Sequence, residues 1–276
     1  MRLGGPVLYQ GHDPVAYAEA HVALGYRAAY APDWVTLEDP AQAQAVAREL
    51  AARDIVLAEV GAWCNPLSND PATRQAAIGL MTDRLRLADL MGARTCVNVL
   101  GTKGHDNWYG PDAAGYSQAF FDEAVALTQH LVDTVQPANT TLSLEMMPYY
   151  FLDGPEEYLR FLAAVDRPQV AAHMDLCNSI NSPRRYYGIT QWIEHTFDLL
   201  GDRIITCHLK DLRLNPEPYS VRFDEVRIGL GEVDYAALIG AIERLDPDMP
   251  GMLEHLETAE DYAAAAAIVR SHMLAR

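Results

Sequence analysis

The chain has 276 residues, half of them apolar, and a formal net charge of −17. Such a field repels nucleic acid phosphates and anionic membrane surfaces, so neither is expected as a partner. No run approaches the roughly 18 apolar residues that span a bilayer, and MRLGGPVLYQ has no apolar core of a signal peptide. Cys64, Cys96, Cys177 and Cys207 form no CxxC pair, as expected of reduced residues in a cytoplasmic protein.

Short apolar runs alternate with Ala-rich helical stretches along the whole chain. RLGGPV reads as a first strand, followed by a helix from Asp13 and Pro14 to about Leu24. YRAAYAP precedes a helix over 41–53, and DIVLAEVGAW precedes one over Pro71–Met91. TCVNVLG leads to a helix near 116–135, TTLSLEMM to one near 155–165, and VAAHMD to one near 186–200. RIITCHLKD is followed by a long loop and a helix near 234–245, and GMLEHL is closed by a helix over 258–274.

Eight strand–helix pairs at this spacing predict one (β/α)8 TIM barrel, read as a single domain over 1–276. A doubly wound open sheet would carry a Gly-rich phosphate loop after its first strand, where this chain has YQGHDP. The longest strand-to-helix connections, 102–115 and 212–233, are marked as functional by their length.

Barrel enzymes place their catalytic groups at the C-terminal ends of strands. Four expected strands end in a metal-capable side chain: LSLE in Glu145, AAHMD in Asp175, IITCH in His208 and GMLE in Glu254. Three carboxylates and an imidazole in a buried mouth repel one another unless a cation joins them. Mostly oxygen ligands favour Mn²⁺, with Mg²⁺ or Co²⁺ as alternatives. The competing reading is that each acid separately caps a helix or pairs with a base.

Other side chains fall near the same mouth. Lys210 shares a strand face with His208 and is positioned either to donate to a substrate oxygen or to pair with Asp211 or an acid on a neighbouring strand. Lys103 and His105 lie in the loop GTKGHDNWYG; Lys103 is a candidate substrate contact, and His105 a general base or a solvated loop residue. Trp108 and Trp63 could wall a sugar ring or pack at the rim. Glu59 is a candidate for a substrate hydroxyl or an Arg partner, and His173 for a substrate or for supporting Asp175. After the sixth strand, Asn178 is a candidate substrate contact, and Arg184 and Arg185 either hold an anionic group or lie solvated on the surface. His255 is expected to pack outward, opposite Glu254.

The ordered set SLEMMP (143–148), HMDLCN (173–178), HLKD (208–211), GLGEVDY (229–235) and LEHLE (253–257) resembles the xylose isomerase-like superfamily of sugar isomerases and epimerases. That superfamily also contains the endonuclease IV-type barrels. The resemblance covers nearly the whole chain. It implies one divalent metal on Glu145, Asp175, His208 and Glu254, and, as in several epimerases, Glu145 and Glu254 as acid/base groups. Two departures stand out. Asn178 occupies the position where ketose 3-epimerases carry a histidine, and MMPYYF after Glu145 replaces a polar run.

The expected activity is therefore proton transfer next to a carbonyl of a sugar or sugar acid, through an enediolate. A lyase on a keto-sugar, keto-sugar acid or inosose is the alternative enzyme, with His105 as its extra acid/base. A non-catalytic sugar-binding barrel is the alternative from outside catalysis. The substrate is expected to be a small carbohydrate, neutral or carboxylated rather than phosphorylated, and a homo-oligomer is left open.

Overall fold

A computed structural model describes residues 1–104, 107–217 and 219–274. Eight parallel strands close a barrel: β1 (Arg2–Gly4), β2 (Ala28–Tyr30), β3 (Val56–Gly61), β4 (Thr95–Asn98), β5 (Thr141–Glu145), β6 (Val170–Asp175), β7 (Ile204–Leu209) and β10 (Pro250–Leu253). β10 pairs with both β7 and β1, which completes the ring. Between β7 and β10 the chain forms a separate antiparallel hairpin, β8 (Asp211–Leu214) and β9 (Phe223–Val226). The sequence reading had this stretch as loop only.

The helices are α1 (Pro14–Ala23), α2 (Pro40–Ala52), α3 (Pro71–Met91), α4 (Gln118–Val135), α5 (Pro155–Val165), α6 (Leu176–Ser179), α7 (Pro183–Tyr187), α8 (Ile189–Leu200), α9 (Tyr235–Leu245) and α10 (Ala259–His272). Their starts are written locally. Asp13, Asp39 and Asp70 each precede a proline and accept from the backbone N–H of Val15, Gln42 and Thr73. The carboxylate satisfies an orphan donor, and the proline supplies helical φ where no N–H is needed. The helix expected near 186–200 is two, α7 and α8, which meet at Gly188.

Alternation sends one set of strand side chains into the barrel and the other against the helices. On β6, Asp175 and His173 face inward beside His208 and Glu145, set by the pairs Asp175↔His208 and Glu145↔His173. Ala28, Ala58 and Met252 form their own buried cluster, with Tyr30 packed against it. Gly4 lies so close to the Ala28 carbonyl that any Cβ there would overlap it. Inside, Thr95 and Ser143 share a 2.8 Å hydrogen bond. Cys96 and Cys207 are buried, and all four cysteines are free. Among the described residues no helix is long and apolar enough to cross a membrane.

Candidate metal centre

The strand ends bring Glu145, Asp175, His208 and Glu254 together, with one ligand-capable atom from each lying within 4.8 Å of the others. β5, β6 and β7 supply the first three, and Glu254 follows the last residue of β10. His208 Nδ1 faces Glu254 Oε1 at 2.8 Å, Glu145 Oε1 at 3.4 Å and Asp175 Oδ2 at 3.8 Å. Asn178 at the start of the next turn donates from its side chain to Glu145 Oε1 at 2.9 Å and from its backbone to Asp175 Oδ1 at 3.0 Å.

Lys210 lies in the midst of the carboxylates. Its ammonium is 2.7 Å from Asp175 Oδ2, in contact with Glu254 Oε1 and 3.7 Å from Glu145 Oε1. The ion pair expected of Lys210 is present, and its partners are these acids at the ends of the neighbouring strands β6 and β10 and not Asp211. Despite this proximity, Asp175 Oδ2 and Glu254 Oε1 have no hydrogen bond of acceptable geometry, and both atoms are buried.

Behind His208 lies a second trio. Glu59 is fully buried and bridges two imidazoles, His208 Nε2 and His173 Nε2, each at 3.1 Å. Both carboxylate oxygens of Glu59 are thus taken, and His173 is also fully buried. Glu59 also lines the cavity, but both its oxygens are engaged by imidazoles, so in this arrangement it and His173 brace the ring of His208. A carboxylate behind a ligand imidazole fixes the ring and directs its other nitrogen at the cation.

The electrostatics follow from crowding. Burial alone would lower the His208 pKa, but Glu254 and Glu59 beside it carry it well above the ordinary value. Burial raises the Glu59 carboxyl, and the two imidazoles outweigh it and bring the group far below the carboxylate range. For Asp175, burial is likewise outweighed by Lys210. Four buried or nearly buried carboxylates face one ammonium and two imidazoles. This donor set, three carboxylates and one nitrogen with two oxygens lacking hydrogen bonds, fits a hard divalent cation. Binding it requires that His208 Nδ1 lose its proton.

The remaining candidates separate. Trp108 and Trp63 line the cavity above the cluster, whose volume is about 1250 Å³. Lys103 does not line it; its ammonium pairs with Glu123 on α4 at 2.6 Å, so the expected substrate contact is corrected. Arg185 turns inward to the carbonyls of Asp153 and Ser179 and stacks on Trp192. His105 lies outside the described residues. His255, expected to pack outward, lines the cavity instead: it follows the strand end in a left-handed conformation (φ 56°) and meets Glu225 at 3.1 Å. Alternation stops predicting direction where the strand stops.

Two features were not found from sequence. Tyr30, at the end of β2, lines the cavity with its ring 6.3 Å from that of His208. Asp211 accepts the backbone N–H groups of Gly229, Gly231 and Val233 at 2.9–3.0 Å, and that of Leu212. The glycines of GLGEVDY are the one signal that could have pointed to it, because Gly231 leaves no room for a Cβ beside that carboxylate.

The fold and the cluster define a (β/α)8 barrel with a divalent-metal-capable centre at its C-terminal mouth. A family model described as xylose isomerase-like TIM barrel matches residues 18–272, and the chain belongs to that family. A putative L-ribulose-5-phosphate 3-epimerase of Escherichia coli is 24% identical over 182 residues, covering 65% of this chain and 57% of that protein. The chain thus spans little more than half the length of that relative. A D-allulose 3-epimerase from Methylomonas superimposes with a TM-score of 0.65 at 17% identity, covering 99% of this chain and 98% of that one. A xylose isomerase-like barrel from Mycobacterium smegmatis, solved in complex with magnesium, gives 0.65 at 14% identity, with 99% and 98% coverage.

Proposed function

We propose that the protein is a divalent-metal-dependent sugar isomerase or epimerase that moves a proton on the carbon next to a carbonyl. The observation that carries this reading is the convergence of Glu145 and Glu254 on one point beside His208 and Lys210, at the floor of a cavity open at the strand ends. Epimerases among the family relatives support the same class.

Glu145, Asp175, His208 and Glu254 would hold the cation, Mn²⁺ being favoured by the oxygen-rich set. Bound there, the ion supplies Lewis acidity to a carbonyl oxygen and the neighbouring hydroxyl. The chain's own groups do the rest. Glu145 and Glu254 take and return the proton. Lys210, held by Asp175 and Glu254 beside the same point, adds positive charge where negative charge develops on the substrate oxygen. Asn178 holds Glu145 in place, while Glu59 and His173 hold the ring of His208. Tyr30 and Trp63 line the cavity beside the ring of His208.

The test is solvent-deuterium exchange in Mn²⁺ with a panel of ketoses and sugar acids, followed by mass spectrometry. Deuterium should enter the substrate skeleton with no other change of mass, and Glu145→Gln and Glu254→Gln should each reduce exchange by at least about 10²-fold. A product of smaller mass would replace this reading by the lyase. Full metal content and wild-type exchange in both variants would remove Glu145 and Glu254 from the mechanism.

A further inference from the structure

The cavity above the carboxylate cluster is larger and more aromatic than one unmodified sugar requires. At about 1250 Å³ it exceeds the roughly 300–1,000 Å³ that encloses a drug-sized ligand. Aromatic rings line it and stay open to it: Trp63 is 45% exposed, Tyr109 50% and Tyr149 39%. Trp108 meets Tyr109 edge-on at 5.1 Å, making an angled wall. Trp63 sits close to the cluster, its ring 6.5 Å from that of His208. Its indole folds back over Gly61, where a Cβ would collide with it. Flat apolar faces of this kind bind the C–H face of a sugar ring or another aromatic ring.

The same cavity is poorly equipped for an anion. Among its described lining residues, Lys210, Arg84, Arg222 and His255 carry or can carry positive charge. Lys210 is held by Asp175 and Glu254, Arg222 pairs with Asp224 at 2.9 Å, and His255 meets Glu225 at 3.1 Å. Arg84 donates to the Val35 carbonyl at 3.4 Å and is the one with no carboxylate beside it. In barrels of this architecture, a phosphate is commonly held by backbone N–H groups in the loops after the last two barrel strands. Here the glycine-rich turn after β7 spends those groups internally. The N–H groups of Gly229, Gly231 and Val233 all point to the Asp211 carboxylate. Glu225 and Glu254 flank the same corner and would repel a phosphate.

We infer that the substrate is an uncharged sugar that keeps a free carbonyl and carries a second ring on another hydroxyl, a glycoside of that kind and not a sugar phosphate. The reacting sugar lies on Glu145 and Glu254, and the second ring lies against the Trp63–Trp108–Tyr109 wall. The inference rests on the sugar-enzyme reading above and names its substrate class. It departs from the phosphate in the name of the Escherichia coli relative.

Titration calorimetry of the Mn²⁺-loaded protein tests it. The probes are D-fructose, D-fructose 6-phosphate, D-fructose 1-phosphate and the ketose disaccharides lactulose and isomaltulose. At least one glycoside should bind roughly tenfold more tightly than its parent monosaccharide, and neither phosphate should bind more tightly than its parent. Trp63→Ala, a change at a half-exposed ring that leaves the core untouched, should bring the glycoside to within about threefold of its parent. The inference is overturned if either phosphate gains affinity over its parent, if neither glycoside does, or if Trp63→Ala leaves the preference intact. Binding and not turnover is read, so a failure of deuterium exchange would count against the proton-transfer reading alone.

Discussion

Glu59→Gln removes one oxygen and one charge from a residue whose two oxygens are engaged by imidazoles, and it should weaken metal binding. In the wild-type protein both Glu59 oxygens face imidazole nitrogens, His208 Nε2 and His173 Nε2, each at 3.1 Å. A glutamine has one acceptor and one donor group. It must present its NH₂ to one of the two rings, which then has to offer a lone pair from Nε2. If that ring is His208, its proton moves to Nδ1, the nitrogen aimed at Glu254, Asp175 and Glu145. If it is His173, His208 still loses the carboxylate that makes it a more basic ligand. Either way the expected loss is about 10–100-fold in metal affinity, or about 1.4–2.7 kcal/mol. The assay is calorimetric titration of chelator-treated protein with Mn²⁺. Asp133→Asn, which changes net charge equally on the surface beside Arg167, is the control and should bind as wild type. An affinity for Glu59→Gln within threefold of wild type, in a variant that folds normally, would refute the idea that Glu59 sets the orientation of His208.

Three further outcomes are expected. Asp211→Ala strips the acceptor from four backbone N–H groups and should cost about 3 kcal/mol in urea unfolding, with loss of cooperativity around the hairpin; a cost under about 0.5 kcal/mol would show that solvent satisfies that loop. His21 is fully buried, with Nδ1 on the Tyr17 carbonyl, and burial lowers its pKa. Its folded pKa lies below the unfolded one, so its contribution to stability is present above about pH 6.5 and is lost as pH falls through the folded value. The stability gap between wild type and His21→Phe should therefore shift by up to about 1.4 kcal/mol per pH unit on acidification below pH 6.5, and a pH-independent gap would contradict the burial argument. Lys103→Met breaks a partly exposed pair with Glu123 and should leave kcat/KM within about twofold, with at most about 1 kcal/mol of stability lost; a large fall in kcat/KM would return Lys103 to the substrate site.

The order of strands and helices is legible in the chain because it is local. Aspartate–proline pairs at Asp13, Asp39 and Asp70 announce helix starts wherever they occur, and a parallel barrel repeats one unit. The three acids and the histidine at strand ends are legible for a related reason. In a barrel, the end of every inner strand lies at the same mouth, so position in the repeat stands in for position in space. That reasoning fails for what happens across the barrel. Glu59 lies 149 residues from His208, and nothing in AEVGAW announces that its carboxylate will be engaged by two imidazoles.

Lys103 shows the same limit, because its partner Glu123 stands on a helix whose rotation no strand motif records. His255 turned the opposite way from expectation because strand alternation ends at Leu253 and its own φ is positive. By itself the sequence determined the barrel, the helix caps and the ring of metal-capable residues at its mouth, since each follows from near-neighbour spacing. Only the tertiary structure decided the partner of each polar side chain: Lys210 among the acids, Glu59 behind His208, and Asp211 in the glycine turn. Those choices depend on distances between strands and loops far apart in the chain, and on which buried groups would otherwise lack a partner.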